Sequence, residues 1–223
     1  MVCFPVETDR SVCYVQYRGM MTKSNQKNTR QRILEAALER FARDGYHDTS
    51  MADIVRQSKT SKGGIYFHFP SKEEIFLGLV DEFANILEKR LDAALAEEES
   101  GVRRVNAALN ICIQTFNQYK KLAKIFLIQA IGLGNAFEEK RRQIHQRFIE
   151  MIQRHLDEAV AEGSIEPIDT EITAYAWMGA INEVVIAWVL TGEPDPAEAL
   201  PTLRTILLRG IGVEDAKIAQ LDA

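Results

Sequence analysis

Ser61-Lys62-Gly63-Gly64-Ile65-Tyr66-Phe67-His68-Phe69-Pro70-Ser71-Lys72-Glu73 is the stretch on which the fold is decided. Ser61 can cap a short helix and Pro70 closes it, because proline cannot continue the hydrogen-bond ladder. Ser71-Lys72-Glu73-Glu74 then has the form of a capping box. It opens a long helix carrying Ile75, Phe76, Leu79, Val80, Phe83, Ile86, Leu87, Leu91 and Leu95. Upstream, Lys59-Thr60 makes a tight turn, and Ser50 with Asp53 three residues on starts another short helix. Further upstream, Ile33, Leu34, Ala37, Leu38 and Phe41 recur at helical spacing before a stop at Gly45. Three short helices, the last two joined by a tight turn, have the form of a helix-turn-helix over residues 50–69.

The remainder also reads as helix, over about Val102–Tyr119, Leu122–Leu133, Ala136–Glu162, Thr170–Leu190 and Pro196–Leu208, with breaks at glycine clusters. The chain is therefore expected to be all-α: a three-helix head and a six-helix body. Met1–Met21 shows neither period and is read as a disordered extension. It has no continuous apolar core or small-residue cleavage site of a signal peptide, and no apolar run reaches the roughly 18 residues of a membrane span. These features place the protein in the cytosol. Cys3, Cys13 and Cys112 have no metal-ligand spacing and are odd in number, which speaks against a disulfide framework or zinc site.

Charge is unevenly spread. The whole chain carries −5, yet Thr22–Lys72 has ten Lys/Arg against five Asp/Glu. With Met1–Met21 neutral, a head of +5 sits on a remainder of −10. Such an asymmetry steers one end toward a polyanion. Lys62 and Lys72 offer ammonium groups, Thr60, Ser61 and Tyr66 hydroxyls and His68 an imidazole, all able to meet phosphate oxygens. Gly63 and Gly64 leave the backbone bare where a helix approaches base edges. Short helices with a Lys/Ser turn also occur in many bundles, so the pattern favours DNA binding without excluding a plain bundle.

The same residues resemble a known family. Thr29-Arg30-Gln31-Arg32-Ile33-Leu34-Glu35-Ala36-Ala37, Phe41-Ala42-Arg43-Asp44-Gly45-Tyr46, Thr49-Ser50-Met51-Ala52-Asp53-Ile54 and the opening stretch together look like the DNA-binding domain of TetR-type (TetR/AcrR) regulators, nearly unbroken from Lys27 to Leu87. The resemblance implies a homodimer with a helix-turn-helix head over 27–87 and a ligand-binding, dimerising body over 88–210. It also implies a repressor released from its DNA operator by a small effector. By position it assigns DNA contacts to Thr49, Ser50, Thr60, Ser61, Lys62, Gly63, Gly64, Tyr66, His68 and Lys72. There are two departures. Lys59 stands where the family usually has a turn glycine, so the turn takes a strained positive φ or shifts. Gly64 stands where a small hydroxylated residue is common.

In the body, Thr170–Leu190 is apolar on more than one face, as expected for a helix buried on both sides. Ile181, Val185, Trp188, Leu203, Ile206 and Leu207 are read as the dimer seam, so that charges at Val185 and Leu203 would give monomers. Phe116, Tyr119, Phe126, Ile131, Phe148, Tyr175 and Trp177 are candidates for lining a ligand pocket, each of them equally suited to ordinary core packing. Gly179–Leu190 resembles the corresponding helix of TetR-type fatty-acid regulators that respond to acyl-coenzyme A, which suggests a long apolar effector. His145 and His155, ten residues apart, rotate away from one another, so metal ligation by the pair is not expected. No cofactor is expected. An enzyme is disfavoured, since no phosphate-cradling loop follows a strand and no Ser/His/Asp or Cys/His grouping stands out. A bundle that keeps the head as a relic is the other alternative, and it would not bind duplex DNA.

Overall fold

Hydrogen-bonded caps set the boundaries of the head. In the computed structural model, which describes residues 29–98, 100–129 and 133–221, α1 spans Thr29–Asp44, α2 Met51–Ser58 and α3 Lys62–His68. The Ser50 side chain accepts from the Asp53 N–H while Asp53 accepts from the Ser50 N–H, a full capping box on α2. Ser61 accepts from the Gly64 N–H at 3.0 Å, and Ser71 from Glu74 at 3.1 Å. Ile33, Leu34, Ala37 and Phe41 from α1, Ile54 from α2 and Ile65 from α3 are fully or almost fully buried and form one core with Ile75 and Phe76 of α4, Lys72–Ala96.

The turn between α2 and α3 takes the strained option. Lys59 has φ 54 and ψ 34, the left-handed conformation that costs an L-residue roughly 1–2 kcal/mol. Arg32 of α1 holds the turn by donating to the Lys59 carbonyl at 3.3 Å and the Thr60 hydroxyl at 3.2 Å. A second brace involves Lys72, expected from the sequence to meet DNA phosphate. Its Nζ donates to the carbonyls of Tyr46 (2.7 Å), Thr49 (2.9 Å) and His47 (3.4 Å), and lies 4.2 Å over the Tyr46 ring. Partial burial lowers its pKa. All three ammonium hydrogens are thus committed to the loop before α2.

The body comprises α5 (Gly101–Gln118), α6 (Lys120–Lys124), a π-helical turn (Ile125–Gln129), α7 (Asn135–Ala161), α8 (Thr170–Thr191), α9 (Pro196–Gly210) and α10 (Asp215–Ala219). Two boundaries differ from the sequence expectation. The expected single helix Leu122–Leu133 is a short α-helix followed by the π turn, a register change that leaves apolar periodicity almost unaltered. The chain also packs beyond residue 210, where Val213 and Ile218 are buried and add α10 to the expected six-helix body. The described residues contain no strand. The expected extension 1–21 and the pocket candidate Ile131 lie outside the described residues.

Helix α8 buries one face within its own protomer and leaves the other exposed. Ala174, Trp177, Ile181, Val185 and Trp188 point into their own protomer. So do Leu203 and Leu207 of α9. Charges at Val185 and Leu203 would therefore fall in the protomer's own core. At about 100° per residue, Ile172, Ala176, Gly179, Glu183, Ile186 and Leu190 form the opposite stripe. Ile172 and Leu190 are both 63% exposed, as is Ile206 of α9 at 61%. Both faces are apolar, so hydrophobic periodicity could not tell inside from outside. Ile206 alone of the expected seam faces outward.

Two stability effects are expected. Lys59→Gly should relieve the left-handed strain and raise the unfolding free energy by about 1 kcal/mol, or about 2–4 °C in midpoint at fixed protein concentration. Lys72→Met should cost about 2 kcal/mol even without DNA. An unchanged melt for the Lys72 variant would show that the brace carries no stability.

Candidate nucleic-acid interface and effector cavity

Helix α3 turns Ile65 inward and presents Lys62, Gly63, Tyr66 and Phe67 outward. Ser50, Lys59 and Ser61 are exposed beside them, and His68 is half-buried at the helix end. A Cβ at Gly63 would meet nothing within 4 Å, so the backbone there is open to an approaching base edge. Gly64 differs: a Cβ would lie 3.0 Å from the Thr60 side chain and 3.1 Å from the Ser61 hydroxyl. Its bareness serves the cap.

Two expected contacts are turned inward. Thr49 is 1% exposed and its hydroxyl donates to the Gly45 carbonyl at 2.7 Å; Lys72 braces the loop as described. Thr60 is half-buried and tied to Arg32. Conversely, Phe67 was not among the expected contacts and is 84% exposed. It sits one turn from Gly63 and beside Tyr66, a spacing that could have singled it out. A solvent-facing phenylalanine next to an open backbone suits apolar contact with a thymine methyl in the major groove.

The second feature lies inside the body. Leu87, Leu91 and Leu95 of α4, residues of α5 and α7, Phe126 of the π turn and Trp177, Met178 and Ile181 of α8 enclose a cavity of about 90 Å³. Phe116, Phe126, Phe148 and Trp177, four of the residues named from the sequence as pocket candidates, line this cavity. Tyr119 is buried but does not line it, and Tyr175 is half-exposed on the outer face of α8, because it lies nearly opposite the inward residues of that helix.

Few polar groups reach the cavity. Arg104 and His155 are among its lining: Arg104 donates to Glu162 at 2.9 Å and to the Glu98 carbonyl at 3.1 Å, and the His155 Nδ1 lies 2.9 Å from Glu158. His145 lies 5.8 Å from Phe126 between ring centroids, and burial, helped by Arg141, lowers its pKa, so the ring is neutral near pH 7. The two histidines thus border one cavity despite their rotation. Among the described residues no group of three His, Cys, Asp or Glu could hold a metal ion. Burial pushes the Cys112 thiol up to about 12, so it stays protonated. The chamber is apolar and nearly uncharged, with a charged rim, and suits a hydrocarbon ligand.

Comparison with known proteins identifies the family. Residues 33–79 match the model for bacterial regulatory proteins of the tetR family, and residues 75–211 the tetracyclin repressor-like C-terminal domain. The HTH-type transcriptional regulator YdgC of Bacillus subtilis is 26% identical over 194 residues, covering 85% of this chain and 95% of that protein. Among solved structures, the fatty acid degradation regulator FadR of Bacillus halodurans superposes with a TM-score of 0.77 at 19% identity, covering 86% of this chain and all of that one. FadR of Bacillus subtilis in complex with stearoyl-CoA gives 0.73 at 21% identity, over 81% of this chain and 98% of that one. With family models spanning both the head and the body, the chain belongs to the tetR family of helix-turn-helix transcriptional regulators, and it is not an enzyme.

Proposed function

We propose that this regulator is a homodimeric cytosolic repressor, with a reading head over residues 27–87, which leaves its operator when an acyl chain fills the cavity of the body. The observation that carries the reading is the cavity wall. Leu87, Leu91 and Leu95 belong to the same helix that buries Ile75 and Phe76 in the head, so an occupant of the chamber presses on the element that holds α1–α3. The stearoyl-CoA bound by the Bacillus subtilis relative supports an acyl-coenzyme A as effector class. An effector that favours the released arrangement by 1–3 kcal/mol changes operator affinity about 5- to 150-fold.

In this reading Ser50, Ser61, Lys62, Gly63, Tyr66, Phe67 and His68 meet the DNA, while Thr49, Thr60 and Lys72 shape the surface that does. The dimer seam is the outward stripe of α8 with Ile206 of α9. Ile172, Tyr175, Leu190 and Ile206 are large apolar side chains left in solvent by the protomer, and a Cβ at Gly179 meets nothing, leaving room for a second helix. Helix α8 is long and apolar enough to cross a membrane by composition. Its inner face packs against the body, and Glu183 in the middle of the outer stripe suits a protein partner better than lipid.

Operator affinity should fall with salt by about 0.9 in log K per log unit for each phosphate neutralised. Absence of duplex-DNA binding even at low salt would support the relic-head alternative. Gly179→Glu with Ile206→Glu should give folded monomers by light scattering whose operator affinity drops 10²-fold or more, since the two heads no longer act together (roughly 10²–10⁴ for linked sites). A dimer of unchanged mass would move the seam elsewhere. Stearoyl-coenzyme A titrated into the labelled operator complex should release the DNA; calorimetric binding without release, or no binding, would contradict the effector assignment.

A further inference from the structure

Three observations meet at Ile125–Gln129. The backbone there is π-helical, its hydrogen bonds reaching one residue further than those of the α-helix before it; such turns are rare, and frequently lie at functional sites. Phe126, 3% exposed, projects from this turn into the cavity wall, with its ring 5.6 Å from Phe83 and 5.8 Å from His145. Gln129, at the end of the same turn, donates its Nε2 to the Phe41 carbonyl at 3.0 Å. Phe41 is in the last turn of α1, and its carbonyl also accepts from the Gly45 N–H at 3.0 Å. From Gly45 the chain runs directly into the loop whose Tyr46 and Thr49 carbonyls Lys72 holds, and then into α2. A single side chain thus joins the cavity wall to the end of the helix that sets the loop before the DNA-reading pair.

That link is weakly held. The Gln129 Oε1 is buried with no hydrogen-bond partner among the described residues, so the amide is anchored at one end only. Two other polar contacts between head and body among the described residues are of a different kind. Lys121–Glu39 (2.8 Å) and Lys140–Asp81 (3.0 Å) are solvent-exposed or half-exposed ion pairs, which contribute little and respond to salt. The packing of Phe137 on Tyr46 and Phe76 is apolar and tolerates small shifts.

The geometry points to Gln129 as the positioning residue through which occupation of the cavity reaches the DNA-reading head, with the π turn as the moving part. An occupant displaces Phe126, and the turn gives up its extra residue and continues in α register. Gln129, the last residue of the turn, is thereby rotated about the helix axis by up to about one residue, roughly 100°. Gln129 then leaves the Phe41 carbonyl, and the end of α1 with its 45–49 loop is released. This inference rests on the cavity being the effector site.

The test is a double-mutant cycle on the full chain that needs no effector. Ala108 lines the cavity, and Ala108→Phe plugs it, with Ala108→Leu as the milder plug should the larger one fail to fold. Gln129→Leu removes the donor and keeps the bulk. Operator affinity is measured by fluorescence anisotropy on a genomically selected site, with folding checked by circular dichroism and exchange of the Gly45 amide by mass spectrometry. The plug should weaken operator binding at least fivefold and speed Gly45 exchange in the parent chain. In the Gln129→Leu background it should change affinity less than twofold, because the link it acts through is already gone. An equal effect of the plug in both backgrounds overturns the coupling and leaves the cavity reading standing. A plug without effect in the parent, together with no response to stearoyl-coenzyme A, overturns both.

Discussion

One helix serves two cores, and the rest of the molecule depends on that sharing. Helix α4 buries Ile75, Phe76, Leu79 and Val80 near its start and Leu87, Leu91 and Leu95 toward its end, with Phe83 between them against Phe116 and Phe126. Packed interiors are close to crystalline in density, so a shift at one end of such a helix is not absorbed locally. The head cannot form its core without α4, and the cavity cannot close without it. Sensing and DNA reading are thereby mechanically joined before any particular ligand is considered.

The head supplies rigidity against a strained turn. Lys59 sits in the left-handed region, and Arg32, the Ser50–Asp53 and Ser61 caps and the Lys72 brace hold the segment around it. Strained positions persist when surrounding contacts over-determine them, and they cluster at functional surfaces. Here the strain fixes the angle between α2 and α3, which sets the direction in which Gly63, Tyr66 and Phe67 face. Basic charge concentrated on this end, against an acidic body, orients encounter with DNA.

What the sequence revealed follows from the kind of signal each element carries. Helices α1–α4 were legible because caps, turn residues and one-sided apolar stripes agree on their ends. The two-way choice at Lys59 was visible, though its outcome needed Arg32, 27 residues away in the chain. Helix α8 was legible as doubly packed but not as to which side faced inward, since Val185 and Leu190 are chemically alike. That Lys72 and Thr49 turn inward was not legible, because a cation and a hydroxyl beside exposed residues look the same in sequence whether they point out or in. The placement of His145 and His155 around one chamber, and the π turn, depend on helix packing and register that leave almost no periodic trace.

The central claim is that two heads are held at a spacing matched to DNA and that filling the cavity changes it. Pulsed electron resonance between spin labels at position 74 of the two subunits (Glu74→Cys, exposed at the start of α4 and outside the DNA-facing set, in a variant cleared of native cysteines) measures that spacing. On operator DNA the account predicts a narrow distribution consistent with α3 helices about 34–36 Å apart, which shifts or broadens once the Ala108→Phe plug or stearoyl-coenzyme A occupies the cavity. A distribution that is the same with the cavity empty and filled would contradict it.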